Sequence, residues 1–172
     1  MSLIRYAALT GLGVLLAGSA AARVTPAPAN LCVAGERVAF TCRAGAKVIS
    51  FCANGNVLHY RFGKPGKAEL SYPAGATPAR SVFRFSSAAY SGGGEARVHF
   101  TNGAYDYLVY TAMIAGSWNP DGTRDHEMLD GVLVRKGGRK IANIRCTTAP
   151  ENDLYPLGEM LPREEFDIDI ER

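Results

Sequence analysis

The chain has 172 residues, 47% of them apolar and 19 of them glycine, with a formal charge of +3. This length supports one domain with its own core and leaves no room for a second of ordinary size. The small net charge hides an asymmetry: 23–146 carries 16 Lys and Arg against 8 Asp and Glu, whereas 147–172 carries 2 against 8. A basic body of this kind either holds an anionic partner or is a solvated surface neutralised by its own acidic end.

Arg5 precedes an apolar run over 6–17, which is followed by Ala20-Ala21-Ala22. A charged start, a short apolar core and small residues at the cleavage point predict a secretory signal peptide over residues 1–22. The run is too short to span a bilayer, and no Cys follows the cleavage point to carry a lipid anchor. The expected location is the periplasm or the medium, where four Cys meet oxidising conditions. A Pro/Ala-rich flexible leader, 23–30, comes next.

Period-2 alternation then predicts strands at 37–42 and 47–52, with Arg43-Ala44-Gly45-Ala46 as the hairpin turn between them. Further strands follow at 57–62 and 68–72, separated by Gly63-Lys64-Pro65-Gly66. After a loop at 73–78, a strand at 81–86 puts Val82, Arg84 and Ser86 on one face and Phe83 and Phe85 on the other. Strands at 97–101 and 105–113 flank Asn102-Gly103, and strands at 131–134 and 140–146 flank Gly137-Gly138. A polar loop is expected over 118–128. No stretch carries helical periodicity. Eight or nine short strands in sequence predict an all-β domain over 31–146, a small antiparallel β-barrel or sandwich of about eight strands, since either form protects sheet edges. Residues 147–172 form an acidic tail. It reads as a disordered solubilising segment or, from the alternation at Phe166, Ile168 and Ile170, as one added edge strand.

Four Cys allow three pairings. With Ala44-Gly45 at the turn centre, Phe40 faces Ile49, Val38 faces Phe51 and Arg37 faces Cys52. Cys42 then lies at the turn end and Cys52 at the open end, roughly 17 Å apart, too far for a bridge. The turn at Val33-Ala34-Gly35-Glu36 folds Cys32 back beside Arg37. The expected bridges are therefore Cys32–Cys52 and Cys42–Cys146, the second tying the first strand to the last. A loop of that length contributes about 3–5 kcal/mol.

Chemistry is sparse. His59 and His99 sit within strands, and His126 lies in the polar loop with Asp121, Asp125 and Glu127. No CxxC is present and no His has ligand spacing, so neither metal nor cofactor is expected. There is no G-x-S-x-G elbow and no HExxH, and Gly92-Gly93-Gly94 precedes a strand rather than a helix. A second segment, His59-Tyr60-Arg61-Phe62-Gly63-Lys64, mixes aromatic and basic residues. With Tyr105, Tyr107 and Tyr110 it makes Tyr60 and Arg61 candidates for a face that holds a glycan or an anionic envelope polymer. Alternatively, Tyr60 and Phe62 line the core while Arg61 faces out.

Ser86-Ser87-Ala88-Ala89-Tyr90-Ser91-Gly92, followed by a strand and Thr101-Asn102-Gly103-Ala104, resembles the periplasmic and membrane-bound inhibitors of C-type lysozyme. That family carries an S-G-A-R-Y loop, then a strand and a W-x-K-G-D-E-A turn. The resemblance spans 86–104 and implies a small exported antiparallel β-fold whose first-strand Cys pairs with a C-terminal Cys. It puts Ser86 in the place of the inhibitory Ser and Tyr90 in that of the loop Tyr, with the Asn102-Gly103 turn beside them. Ser87 stands for the family's Gly and Ala89 for its Arg. Asn102 stands for the Lys that enters the lysozyme cleft, and a neutral amide does not pair with a carboxylate as an ammonium does.

The expectation is an exported cell-envelope binding protein that inhibits a cell-wall hydrolase such as lysozyme, through Ser86, Ser87, Tyr90 and Asn102 or through Tyr60 and Arg61. No nucleic acid and no membrane span is expected. A hydrolase using the 121–127 loop and a structural envelope component are the alternatives. Mass spectrometry of exported protein should find the mature chain starting near Arg23; an intact residue 1 in that fraction would remove the export reading.

Overall fold

The computed structural model describes residues 30–167, so the expected signal peptide, most of the expected leader, and Ile168 and Ile170 lie outside the described residues. Two antiparallel sheets account for most of the chain. The first has the order β1 (Arg37–Ala44), β2 (Lys47–Asn54), β3 (Val57–Lys64), β4 (Lys67–Tyr72). The second has the order β5 (Arg84–Tyr90), β6 (Gly93–Asn102), β7 (Tyr105–Trp118), β8 (Arg124–Lys136), β9 (Arg139–Arg145). The sheets do not close on one another, so the architecture is a sandwich rather than a barrel. Each is a simple meander, because nearly every connection is a two-residue turn with glycine in the left-handed region. Among the described residues no helix is long and apolar enough to cross a membrane.

One core lies between the sheets. Phe40, Ile49, Phe51, Leu58 and Tyr60 of the first meet Phe85, Val98, Phe100, Val109 and Val132 of the second. Phe100 sits at its centre, with ring centroids 5.0 Å from Tyr60, 4.8 Å from Tyr72, 5.4 Å from Phe83 and 4.8 Å from Tyr107. Phe83 and Phe85 face this core as their alternation predicts. The strand expected at 81–86 starts later, however. Ala79–Val82 form one helical turn, α1, whose last bond runs from Phe83 N–H to the Ala79 carbonyl.

Both expected disulfides are present, Cys32–Cys52 with Cα atoms 5.3 Å apart and Cys42–Cys146 with 5.8 Å. The register expected for the first hairpin is not the one observed. Cys42 faces Ile49 and Phe40 faces Phe51, whereas Val38 faces Cys52 and Arg37 faces Ala53 after a bulge. The turn centre is Gly45-Ala46, because Gly45 takes the positive φ of +61° that a two-residue loop demands at its first central position. From Phe40 to Ala44 the slip is two residues, one full period of the strand, so those side chains keep their faces, whereas past the bulge Val38 leaves the core face it was expected to share with Phe51. Cys42 stays on the core face and joins the two sheets. Cys52 stays on the outer face, where Cys32 fastens the segment 30–36 across β2 and β3. Leu31 N–H donates to Ser50 Oγ at 3.1 Å there, and Arg61 pairs with Glu36 and donates to the Leu31 carbonyl.

The last segment is not an appendage. From Cys146 it runs along the free edge of β1, with Thr41 and Glu151 exchanging both backbone bonds, 3.1 and 2.8 Å. It then buries Leu154, Leu157 and Leu161 around a 3-10 turn, Tyr155–Glu159. Finally it pairs with the free edge of β5, where Phe85 N–H bonds the Pro162 carbonyl and Glu164 N–H the Phe85 carbonyl, each at 2.9 Å. One strap therefore covers one edge of each sheet, which is how an open sandwich avoids edge-to-edge pairing. Phe166 does not belong to an edge strand: the contact with β5 is a single parallel bridge at Arg163, and Ile168 and Ile170 lie outside the described residues. Leu157→Ala should cost about 2–5 kcal/mol in urea unfolding. A change within experimental error would mean that the strap is an ornament.

Candidate functional site

The residues singled out by sequence are scattered. Tyr60 is 1% exposed and belongs to the core, where burial first and Tyr107 second push its phenol far above the usual range. Arg61 points to the outer face of the first sheet, opposite core-facing Tyr60 and Phe62, but is buried there in the ion pair with Glu36 that holds the 30–36 segment, and this hydrogen bond pulls the Glu36 carboxyl down. Tyr60 and Arg61 are thus both covered, one by the core and one by the 30–36 segment, and make no open face. The Ser86–Gly94 segment is a hairpin rather than a loop, with only Ser91-Gly92 at its turn. Ser86 is 3% exposed opposite Arg97, and Ser87 accepts a hydrogen bond from Arg163 Nη1 at 3.4 Å. Tyr90 ends β5 beside Gly93, whereas Asn102 ends β6 opposite Tyr105. Nine residues of strand separate Gly93 from Asn102, roughly 30 Å. Tyr90 and Asn102 therefore occupy opposite ends of the sheet.

The loop expected over 118–128 is mostly strand. β7 continues to Trp118 and β8 begins at Arg124, so these two strands project beyond their neighbours. β6 pairs with β7 only as far as Met113, and β9 pairs with β8 only from Gly131. Beyond those points the pair is a free ribbon tipped by 119–123. Its tip is held internally: Asp121 Oδ1 accepts from Thr123 N–H at 2.9 Å and from its hydroxyl at 2.6 Å, and Asn119 Nδ2 donates to Thr123 Oγ1 and Asp125 Oδ1. The Thr123 hydroxyl, then its backbone, lowers the Asp121 carboxyl. These carboxylates serve the turn.

The ribbon leans on the β5–β6 turn. Arg124 donates from Nε to the Gly116 carbonyl at 3.0 Å and stands 5.3 Å over the Trp118 ring. A Cβ on Gly92 would lie 2.8 Å from Arg124 Nη1, and Gly92 has a φ of +74°, so the conformation favours glycine there and the turn sits against Arg124. Trp118 is 69% exposed and Met128 59%, and Tyr90, Met113 and Tyr155 are exposed beside them. Apolar side chains gathered at one end of a small domain mark an interaction surface.

Below this rim lies a cleft of about 260 Å³, bounded by Gly93, Gly94, Thr111, Met113, Met128, Asp153 and Tyr155. Asp130 lies one rung deeper than the Met113–Met128 pair, directly across from Thr111 and buried behind the lining. Burial first, and Asp153 in addition, raise the Asp130 carboxyl, while a Thr111 hydrogen bond opposes them. Tyr155 is raised by burial and by Asp153, Tyr90 and Glu95. The sequence signal for Asp130 was its parity: it shares the inward face of Val132 and Val134, where a carboxylate is out of place.

A second cleft, of about 300 Å³, lies between Tyr72, Ser81, Arg84, His99, Thr101 and Glu164. His99 holds the strap here, Nδ1 lying 3.3 Å from Glu164 Oε2 with Asp106 at 3.8 Å from Nε2. Next to it, Arg97 pairs with Glu95 at 2.6 Å, lies 4.0 Å over the Phe166 ring and donates to the Asp167 carbonyl. His59 Nδ1 bonds the Pro73 carbonyl, so neither strand histidine is partnered by a serine. Cys32, Glu36 and Cys52 converge, but both sulfurs are spent in the disulfide and the carboxylate in the Arg61 pair. No family model matches the chain, and neither does any curated protein or solved structure.

The hydrogen bond to Glu164 raises His99 above its ordinary 6.5, burial opposing and Glu164 and Asp106 adding charge. A raised folded value makes the stabilisation complete below about pH 6.5 and removes it as pH rises through the folded value. Hydrogen exchange of the Glu164 amide should therefore speed up above that pH, beyond the intrinsic rate, and His99→Gln should abolish the extra step.

Proposed function

We propose that this chain is an exported binding protein of the cell envelope that grips a polypeptide partner with the projecting β7–β8 ribbon and the β5–β6 turn beneath it. The observation that carries this reading is the gathering of Tyr90, Met113, Trp118, Met128 and Tyr155, all exposed, at one end of the sandwich. Exposed Trp and Tyr on rigid strands are the side chains that dominate binding energy where a partner buries them. Two disulfides and no free cysteine among the described residues fit maturation under oxidising conditions, in the periplasm or outside the cell.

The partner we propose is a cell-wall hydrolase of the lysozyme kind. Support comes from the resemblance of 86–104 and from the bridge between a first-strand and a C-terminal Cys. The mode implied by that resemblance is not the one the geometry favours, since Ser86 is buried and Asn102 is remote from Tyr90. An anionic polymer fits the ribbon end poorly, because Asp121, Asp125 and Glu127 lie at or next to its tip and Asp153 lines the cleft below, while Arg124 is engaged with Gly116 and Trp118.

Residual lytic activity of several C-type lysozymes, titrated with mature protein, tests both parts. Wild type should inhibit, Trp118→Ala should raise the inhibition constant about tenfold or more, and Asn102→Lys should change little. Absence of inhibition by wild type would remove the hydrolase; inhibition untouched in Trp118→Ala would move the binding surface elsewhere.

A further inference from the structure

We infer that the bare edge of β8, from Arg124 to Leu129, takes up an extended segment of the polypeptide partner as an added antiparallel strand, and that it selects a segment with Lys or Arg at alternate positions. This rests on the reading of the ribbon as the binding surface and names how the partner is held and what chemistry it carries.

The edge is bare because β9 ends early. Gly131–Arg145 is the last rung between the two strands, and Cys146 N–H donates to the Asp130 carbonyl at 2.9 Å just beyond it. The chain then leaves for the first sheet, where Cys146 is bridged to Cys42 and Thr147 N–H bonds the Arg43 carbonyl. Along a strand, the backbone groups of successive residues point to alternate neighbours. With the Asp130 carbonyl facing β9, Leu129 and Glu127 face β7, whereas Met128 and His126 face the side that β9 has left. The N–H and C=O groups of these two residues have no backbone partner among the described residues. Asp125, His126, Glu127 and Met128 are all exposed. A row of unpaired backbone donors and acceptors is a template for a further strand. The opposite edge of the ribbon is less open. The β5–β6 turn lies against it, and a Cβ on Gly92 would stand 3.0 Å from the Ala115 Cβ.

The side chains along the edge decide the occupant. His126 and Met128 share the face of Met113 and the cleft, and Asp125 and Glu127 share the other face. A partner residue opposite Met128 therefore lies on the cleft side, beside apolar surface from Met113 and Met128. Partner residues opposite Asp125 and Glu127 lie on the far side. Opposite charges directly across a strand pair stabilise it and like charges destabilise it, so a basic, apolar, basic alternation fits this edge. Arg124 is held by the Gly116 carbonyl and the Trp118 ring and leaves the two carboxylates for the partner. The same rule disfavours a second copy of this chain. A two-fold pairing of the edge with itself, centred on residue 125, 126 or 127, sets one carboxylate against another. The free edge of β9 has the opposite sign, carrying Arg139, Lys140 and Arg145, and would repel the basic segment that the β8 edge selects.

The mature protein should be titrated with the peptide Ac-Thr-Val-Lys-Val-Lys-Ser-NH2, with the same peptide N-methylated at both valines, and with a counterpart carrying Glu in place of both lysines. Binding is followed by the fluorescence of Trp118, the only tryptophan, and by amide exchange at His126 and Met128. The lysine peptide should saturate and slow exchange at both amides. The N-methylated peptide has lost the donors that face the edge, and the glutamate peptide has the wrong charge. Each should bind about tenfold more weakly. Glu127→Lys should weaken the lysine peptide and strengthen the glutamate peptide. His126→Pro removes an N–H that points away from β7 and should lose about tenfold, whereas His126→Ala keeps that N–H and should lose less than about twofold. The N-methylated peptide tests the same bonds with the protein unaltered, should the proline variant fail to fold. No saturation by the lysine peptide, equal binding of either counterpart, or unchanged exchange at His126 and Met128 overturns the inference. So does a wild-type dimer that His126→Pro dissociates, which would give the edge to a second copy. A protein partner whose affinity falls in Trp118→Ala but not in His126→Pro overturns this inference alone and leaves the ribbon as the binding surface. A partner indifferent to both variants removes the surface as well.

Discussion

The two sheets share no backbone pairing, so the sandwich depends on side chains that meet in its middle, and Phe100 is where they meet. Its ring touches Tyr60 and Tyr72 of one sheet, Tyr107 of the other and Phe83 of the link between them. Offset and edge-on ring pairs fix orientation as well as burying area. The register of β6 follows from this ring: with Phe100 inward, Ala96 and Val98 are inward and Glu95, Arg97 and His99 are outward. The outward residues then need a cover, and the strap provides one.

The strap does more than hide polar atoms. It begins at the Cys42–Cys146 bridge, where the sheets are covalently joined, and passes from the edge of one sheet to the edge of the other. Leu154, Leu157 and Leu161 fill the open side of the core on the way. A 138-residue described segment with four free sheet edges thereby has two of them paired. The same strap brings Asp153 and Tyr155 against the overhang of β7 and β8 and so builds one wall of the cleft. Stability and the candidate site therefore have a common origin, and a lesion in the strap should affect both.

The overhang itself follows from unequal strand lengths. β7 and β8 have 14 and 13 residues, against 10 in β6 and 7 in β5 and in β9. The surplus has no neighbour to pair with. It stands free with Trp118 and Met128 in solvent, stiffened by its own ladder and by Arg124 near its tip. A rigid, exposed, apolar ribbon is a conformation that a binding protein can present without paying much to order it.

Much was legible in the sequence because its signals are local. Alternation gave the strands, glycine-bearing pairs gave the turns, and face parity gave both disulfides. A wrong turn centre in the first hairpin still left Cys42 inward and Cys52 outward, since a slip of two residues preserves parity. The distance between Cys42 and Cys52 also stayed prohibitive. What sequence could not supply was set by contacts distant along the chain. Tyr60, Arg61 and Ser86 look like surface chemistry in an isolated stretch. Tyr60 is buried because the second sheet packs on it, Arg61 because 30–36 crosses the outer face of the first sheet, and Ser86 lies on the face of the second sheet that the strap crosses. The tail looked like a solvated acidic segment because its three leucines lie among charges, without the period of a helix or strand. The cleft at the base of the ribbon was decided by where β6 and β9 stop and where the strap turns, and those limits exist only once the sheets are packed together.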